Sequence, residues 1–145
     1  MLSPAAPGAL ALFQASLDRC IAAPHFLTRF YARFRATSEE AAKRFAHVDM
    51  ARQERVLRAS LYMVLRAAQG SEDGLEHLSE IADSHSQNKH DVGPREYAHW
   101  INCLLDVVRE CDVECTDETI AAWRTCIQPC IDVMIARRTR LAQSS

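Results

Sequence analysis

DMARQERVLRASLYMVLRAAQG, residues 49–70, is the stretch whose reading settles the class of the fold. Val56, Leu57, Leu61, Val64, Leu65 and Ala68 recur at steps of three and four, while Arg52, Arg55, Arg58 and Arg66 fall mostly off that stripe. Apolar residues at that period lie on one face of an α-helix and need other elements to cover them. Asp49 has the side chain of an N-cap, and Gly70 stands where a helix stops.

Working outward, the same reading yields five or six helical stretches and no strand. Upstream, Leu10, Phe13, Leu17 and Ile21 share one face of a first helix that opens after Pro4 and Pro7. Pro24 is expected in the first turn of the next helix, where its missing N–H costs nothing. That helix aligns Leu27, Tyr31 and Phe34, flanked by Phe26 and Phe30. Ser38 starts a short piece ending near Phe45. Downstream, a helix runs from about Asp73 to Ser86 and breaks in the polar run from Ser86 to Asp91. Gly93-Pro94 restarts a helix through Glu110. The last helix, capped by Thr116 or Asp117, carries Ile120, Trp123, Ile127, Ile131, Met134 and Ile135, and Pro129 is expected to kink it.

The 145 residues fit one domain, 1–145, with residues 1–8 expected as a flexible lead. With 48% hydrophobic and 25% charged residues and only four glycines, the composition is that of a globular helical chain. The formal charge of −2 argues against a nucleic-acid partner or an anionic membrane surface. No apolar run reaches the roughly 20 residues of a membrane span. Met1 to Leu12 lack the basic start of a secretory signal, so a cytoplasmic location is expected. The six cysteines lack the paired spacing of zinc sites and are expected as reduced, buried thiols, although Cys126 and Cys130 lie one turn apart.

Three segments carry a resemblance. Phe30-Tyr31-Ala32-Arg33-Phe34 is similar to the second helix of flavohaemoglobin-type globins, where a Tyr faces the distal side of the haem. Phe45 stands at the corner before the long helix, where globins place the Phe that packs on the haem. Leu78-Ser79-Glu80-Ile81-Ala82-Asp83-Ser84-His85, then Gly93-Pro94-Arg95-Glu96-Tyr97, resembles the proximal helix, its histidine and the start of the next helix. In order and spacing the chain from Phe13 to Ile135 resembles a bacterial single-domain globin. The resemblance implies an all-α globin fold of roughly six to eight helices around a pocket for haem b.

It further implies His85 as the iron ligand, with Phe45, Leu57, Ile81, Tyr97, Tyr31 and Gln53 binding the cofactor. Gln53 and Leu57 would lie one turn apart over the distal face. An imidazole is the usual ligand for such iron, and its second nitrogen donates to a nearby acceptor. The carbonyls near Ile81 are expected to accept that bond, and Tyr97 to help orient the ring. The residues alone leave several of the six histidines open. His77 follows Glu76 and reads as solvated, His90 sits in the most polar run, His99 adjoins Trp100 on a helix, and His25 follows Pro24. His47, two residues past Phe45, is a candidate for a haem propionate or a sixth ligand.

Tyr31 and Gln53 would offer two hydrogen-bond donors to a polar gas ligand. Reversible binding of dioxygen, nitric oxide and carbon monoxide is therefore the expected function. The alternatives are a nitric oxide dioxygenase served by a separate reductase, or a gas sensor acting through a signalling partner or a homodimer. Flavohaemoglobins carry a reductase after the globin and place a Glu from the last helix beside the proximal Tyr. Here, after Glu118, the only carboxylate is Asp132, and Arg137, Arg138 and Arg140 occupy the region, which argues for binding over strongly oxidising catalysis.

Overall fold

The computed structural model describes residues 2–87 and 92–144; within the helices, the side chains of residues 82, 84–87 and 141–144 are not described. Among the described residues there are seven helices and no strand. They are α1 (Pro7–Ala22), α2 (Phe26–Ala36), α3 (Glu39–Arg44), α4 (Met50–Ala68), α5 (Glu72–Gln87), α6 (Pro94–Cys111) and α7 (Asp117–Ser144).

Local chemistry sets most of their ends. Ser38 Oγ accepts the Ala41 N–H at 3.2 Å to start α3, and the Asp49 carboxylate accepts the Arg52 N–H at 3.3 Å to start α4. Thr116 and Thr119 cap α7 reciprocally, each hydroxyl accepting the other's N–H at 3.2 and 3.1 Å. At the end of α4, Gly70 has φ +93°, its N–H donates to the Ala67 carbonyl, and the Ser71 N–H donates to the Arg66 carbonyl. That pair of bonds needs a left-handed residue, which glycine supplies without strain. Pro24 corrects one expectation. It lies in the turn before α2, because His25 takes φ +66° and the helix begins only at Phe26. Residues 2–6, expected as part of a flexible lead, run without helix and pack on the core through Leu2 and Ala5. The Ala5 N–H donates to the Ala68 carbonyl at 2.8 Å.

The core closes from both ends of the chain. α1 packs against α7, α4, α6 and α2. The Phe13 and Trp123 rings meet edge to face at 4.9 Å. The Trp123 indole N–H donates to Ser16 Oγ at 2.9 Å, and the Ser16 hydroxyl donates to Asp112 Oδ2 at 2.6 Å. Arg19 adds a two-pronged bond to the same carboxylate at 2.6 and 3.0 Å, and the Glu114 N–H donates to it at 3.0 Å. Every lone pair that burial would orphan is thereby used. α4 and α5 cross at Gly74, where an added Cβ would sit 2.8 Å from both the Met63 carbonyl oxygen and the Ala67 nitrogen. α5 and α7 are joined by a fork from Arg137 to Asp83, at 2.5 and 2.8 Å. These contacts leave α4 on one side of a gap and α5, α6 and α7 on the other, with α2 and α3 closing the end. α7 runs on through Pro129, whose missing N–H takes one bond out of its ladder.

Candidate ligand-binding cavity

That gap is an apolar cavity of about 270 Å³. α4 contributes successive turns of its stripe: Gln53, Leu57, Leu61 and Val64. Leu78 and Ile81 of α5 and Tyr97 and Trp100 of α6 form further wall. Ile127, Cys130, Ile131 and Met134 of α7 complete it, and Tyr31, Phe34 and Phe45 close it from the α2–α3 side.

Tyr31 and Gln53 meet on this wall. The Gln53 amide donates to the phenol oxygen at 3.2 Å, so the phenol keeps its own hydrogen. No acceptor for that hydrogen is found among the described residues, although Tyr31 is only 4% exposed. A buried donor on an apolar wall asks for a partner from inside the cavity. Burial pushes the phenol up to about 12, against a smaller opposing effect of the Gln53 bond, so it stays protonated. The Phe45 ring stands against Tyr31 at 5.4 Å and against Phe34 at 6.2 Å.

Across the cavity, Tyr97 is buried, and its hydroxyl meets Met134 Sδ at 3.9 Å. Burial, with Glu96 nearby, raises this phenol also to about 12. Among the described residues no carboxylate accepts a hydrogen bond from the Tyr97 hydroxyl. Asp132 accepts from Gln128 at 2.9 Å on the exposed side of α7. His85 belongs to α5, one turn beyond Ile81, but its side chain lies outside the described residues, as does all of His90.

The structure thus brings Tyr31, Phe45, Gln53, Leu57, Ile81 and Tyr97 to one cavity. It leaves His47 exposed and off the wall. His77 is exposed; His99 bonds Thr37 Oγ1 at 2.9 Å and stacks on Phe34 at 5.4 Å. Sequence reasoning missed an ion pair at the mouth, Arg44 Nη1 to Glu96 Oε2 at 2.6 Å, since the partners are 52 residues apart. It also left Ile127, Ile131 and Met134 unassigned, although their spacing marks a single helix face. The six cysteines are free thiols, with burial raising Cys126 to about 11 and Cys130 to about 12. Among the described residues no group of three or more metal-ligating side chains is found, and no helix is long and apolar enough to cross a membrane.

A family model for globins matches residues 28–134. A crystal structure of a Pseudomonas aeruginosa PAO1 protein, described as structurally highly homologous to a human hemoglobin, is similar at 33% identity with a TM-score of 0.84. The match covers 90% of this chain and 98% of that one. No curated protein matches the sequence. The family match runs through every element that walls the cavity, from Tyr31 on α2 to Met134 on α7, and on that ground the chain belongs to the globin family, whose members in general bind haem.

Proposed function

We propose that the cavity holds haem b, with His85 as the iron ligand, and that the protein reversibly binds dioxygen, nitric oxide and carbon monoxide. One observation carries the reading: an apolar cavity whose wall presents the buried Tyr31 O–H, for which no acceptor is found among the described residues. The residues suit the cofactor. Haem is an apolar disc with carboxylates at one edge, and the cavity has apolar walls with the Arg44 guanidinium at its mouth. When bound, haem supplies the iron that takes up the gas.

The chain's own residues do the rest. Tyr31 donates its hydroxyl to a polar gas ligand, and Gln53, by donating to the phenol oxygen, polarises that O–H and strengthens the donation. Leu57, Leu61 and Val64 keep water from the same side. On the other side, an iron-ligating His85 would need an acceptor for its second ring N–H, a part that main-chain carbonyls near Ile81 would play. Met134 at the Tyr97 hydroxyl favours this binding reading over a nitric oxide dioxygenase, for which the resemblance calls for a carboxylate there.

Cycling the reduced, haem-supplied protein between air and argon tests the reading. The visible spectrum should move to an oxygenated form and return over repeated cycles. Prompt one-way conversion to the ferric spectrum would contradict reversible binding.

A further inference from the structure

The last helix brings one thiol to the cavity. Among the described residues, Cys130 lines the wall beside Ile127, Ile131 and Met134, whereas the other buried cysteines, Cys20, Cys103 and Cys126, do not. Cys130 stands at the deep end, at 1% exposure, while Val48 and Val56 at the mouth are 40% and 42% exposed. Its S–H makes a long bond to the Cys126 carbonyl, at 3.7 Å, and a thiol is a weak donor. Burial, with Cys126 nearby, raises this thiol to about 12. At that value the sulfur keeps its hydrogen and is inert in disulfide exchange, which needs a thiolate. A second group on the same wall independently asks for a ligand there, the buried Tyr31 O–H with no acceptor among the described residues.

We infer that Cys130 is a site of covalent cofactor attachment, where its thiol adds across a vinyl group of haem to give a thioether. The inference rests on the haem reading and deepens it. Haem b carries two carboxylates on one edge and two vinyl groups on its apolar periphery. Water at the mouth and apolar walls within sort the two, which turns the vinyl-bearing part toward the end where Cys130 stands. The addition balances without a co-reactant. The sulfur bonds to the vinyl carbon next to the ring, the S–H bond breaks, and its hydrogen moves to the terminal carbon as the double bond becomes single. No electron is gained or lost overall, and nothing leaves. The hydrogen that burial keeps on the sulfur is the one the addition consumes. Confinement supplies the rate, since groups held in reacting geometry behave as if at concentrations on the order of 10⁵ M or more.

The test loads the purified chain with haem under dithionite and, in parallel, with mesohaem, in which ethyl groups replace the vinyls. After unfolding in acid, mass spectrometry should find most of the haem-treated chain heavier by one haem, and the mesohaem-treated chain at its own mass. Acidified butanone should leave the haem with the protein, and the pyridine haemochrome band should move to shorter wavelength as one vinyl is lost. Fragmentation of the tryptic peptide 125–137 should put the added mass on Cys130 rather than Cys126. Cys130→Ala should take up one haem and release all of it on unfolding, while Cys126→Ala should still be labelled. A parent chain that binds haem but gives it all up on unfolding overturns the inference and leaves the haem reading standing. Attachment that persists in Cys130→Ala, attachment of mesohaem, or added mass on Cys126 overturns it as well. If Cys130→Ala fails to take up haem, the fragment map of the parent chain decides. A chain without a Soret band after loading removes the haem reading, and this inference with it.

Discussion

Tyr31 illustrates what one residue decides in this fold. Its register on α2 was legible, because Tyr31 and Phe34 share a helix face and the family resemblance turns that face to the pocket. Gln53 was legible for the same reason, one turn before Leu57 on the α4 stripe. If the phenol donates to bound gas, Tyr31→Phe should speed dioxygen dissociation by about tenfold, the scale of one hydrogen bond to a polar group. Gln53→Leu should act in the same direction and more weakly. Stopped-flow displacement of dioxygen measures both, and an unchanged rate in Tyr31→Phe would remove the phenol from the ligand's surroundings. With the phenol's pKa near 12, that rate should stay flat from neutral pH past 10.

Asp112 was not legible, since its partners Ser16 and Arg19 are 96 and 93 residues away. Burial pushes its carboxyl up, but hydrogen bonds from Arg19, Ser16 and the Glu114 N–H outweigh that and hold it below the ordinary carboxylate value. A depressed carboxylate contributes stability above its unfolded pKa of about 3.9, and that contribution is lost as pH falls through the lower folded value. Asp112→Ala should cost about 3 kcal/mol at neutral pH, because it leaves Ser16 and Arg19 without their acceptor. The cost should shrink in acid below about pH 4. Urea unfolding across pH measures this, and a cost that grows on acidification would contradict the account.

At the scale of the element, the helices were legible wherever one stripe or one cap carries the signal. α4 is bounded by Asp49 and Gly70 as its sequence implies, and Ser38 opens α3. The start of α2 was misjudged because a proline usually opens a helix, whereas here a left-handed His25 turns the chain first. Val56 lies on the apolar stripe yet is 42% exposed, because it lines the mouth rather than the interior. The crossing of α4 and α5 depends on a glycine whose importance no local pattern displays. Gly74→Ala gains helix propensity of about 1 kcal/mol, but its methyl would meet two backbone atoms of α4 that cannot rotate away. Overpacking should win, with a net loss of about 1–3 kcal/mol and a lower Tm. A Tm at or above the parent's would show that the two helices separate freely there.

For the molecule as a whole, the cavity is a deficit in the core that a ligand fills. Apolar walls from five helices and the Phe45 corner face one another across it, so cofactor uptake should be coupled to stability. A ligand that binds only the folded state raises its stability in proportion to the logarithm of its concentration over Kd. Thermal unfolding should shift upward on adding haemin, and less so for a variant with a bulkier residue at Leu57. The fold class was legible in helix period and punctuation alone. Family membership needed the order of Tyr31, Phe45 and His85 as well, since helical periodicity does not choose among helical folds.

The central claim is that this cavity takes up haem through His85. Titration of the purified chain with haemin, followed by absorption, tests it directly. The account predicts a Soret band that saturates at one haemin per chain and gives a histidine-ligated ferrous carbon monoxide spectrum. His85→Gly should lose that spectrum and regain it when imidazole is added. No saturable Soret band, or a band indifferent to His85→Gly, would contradict the account.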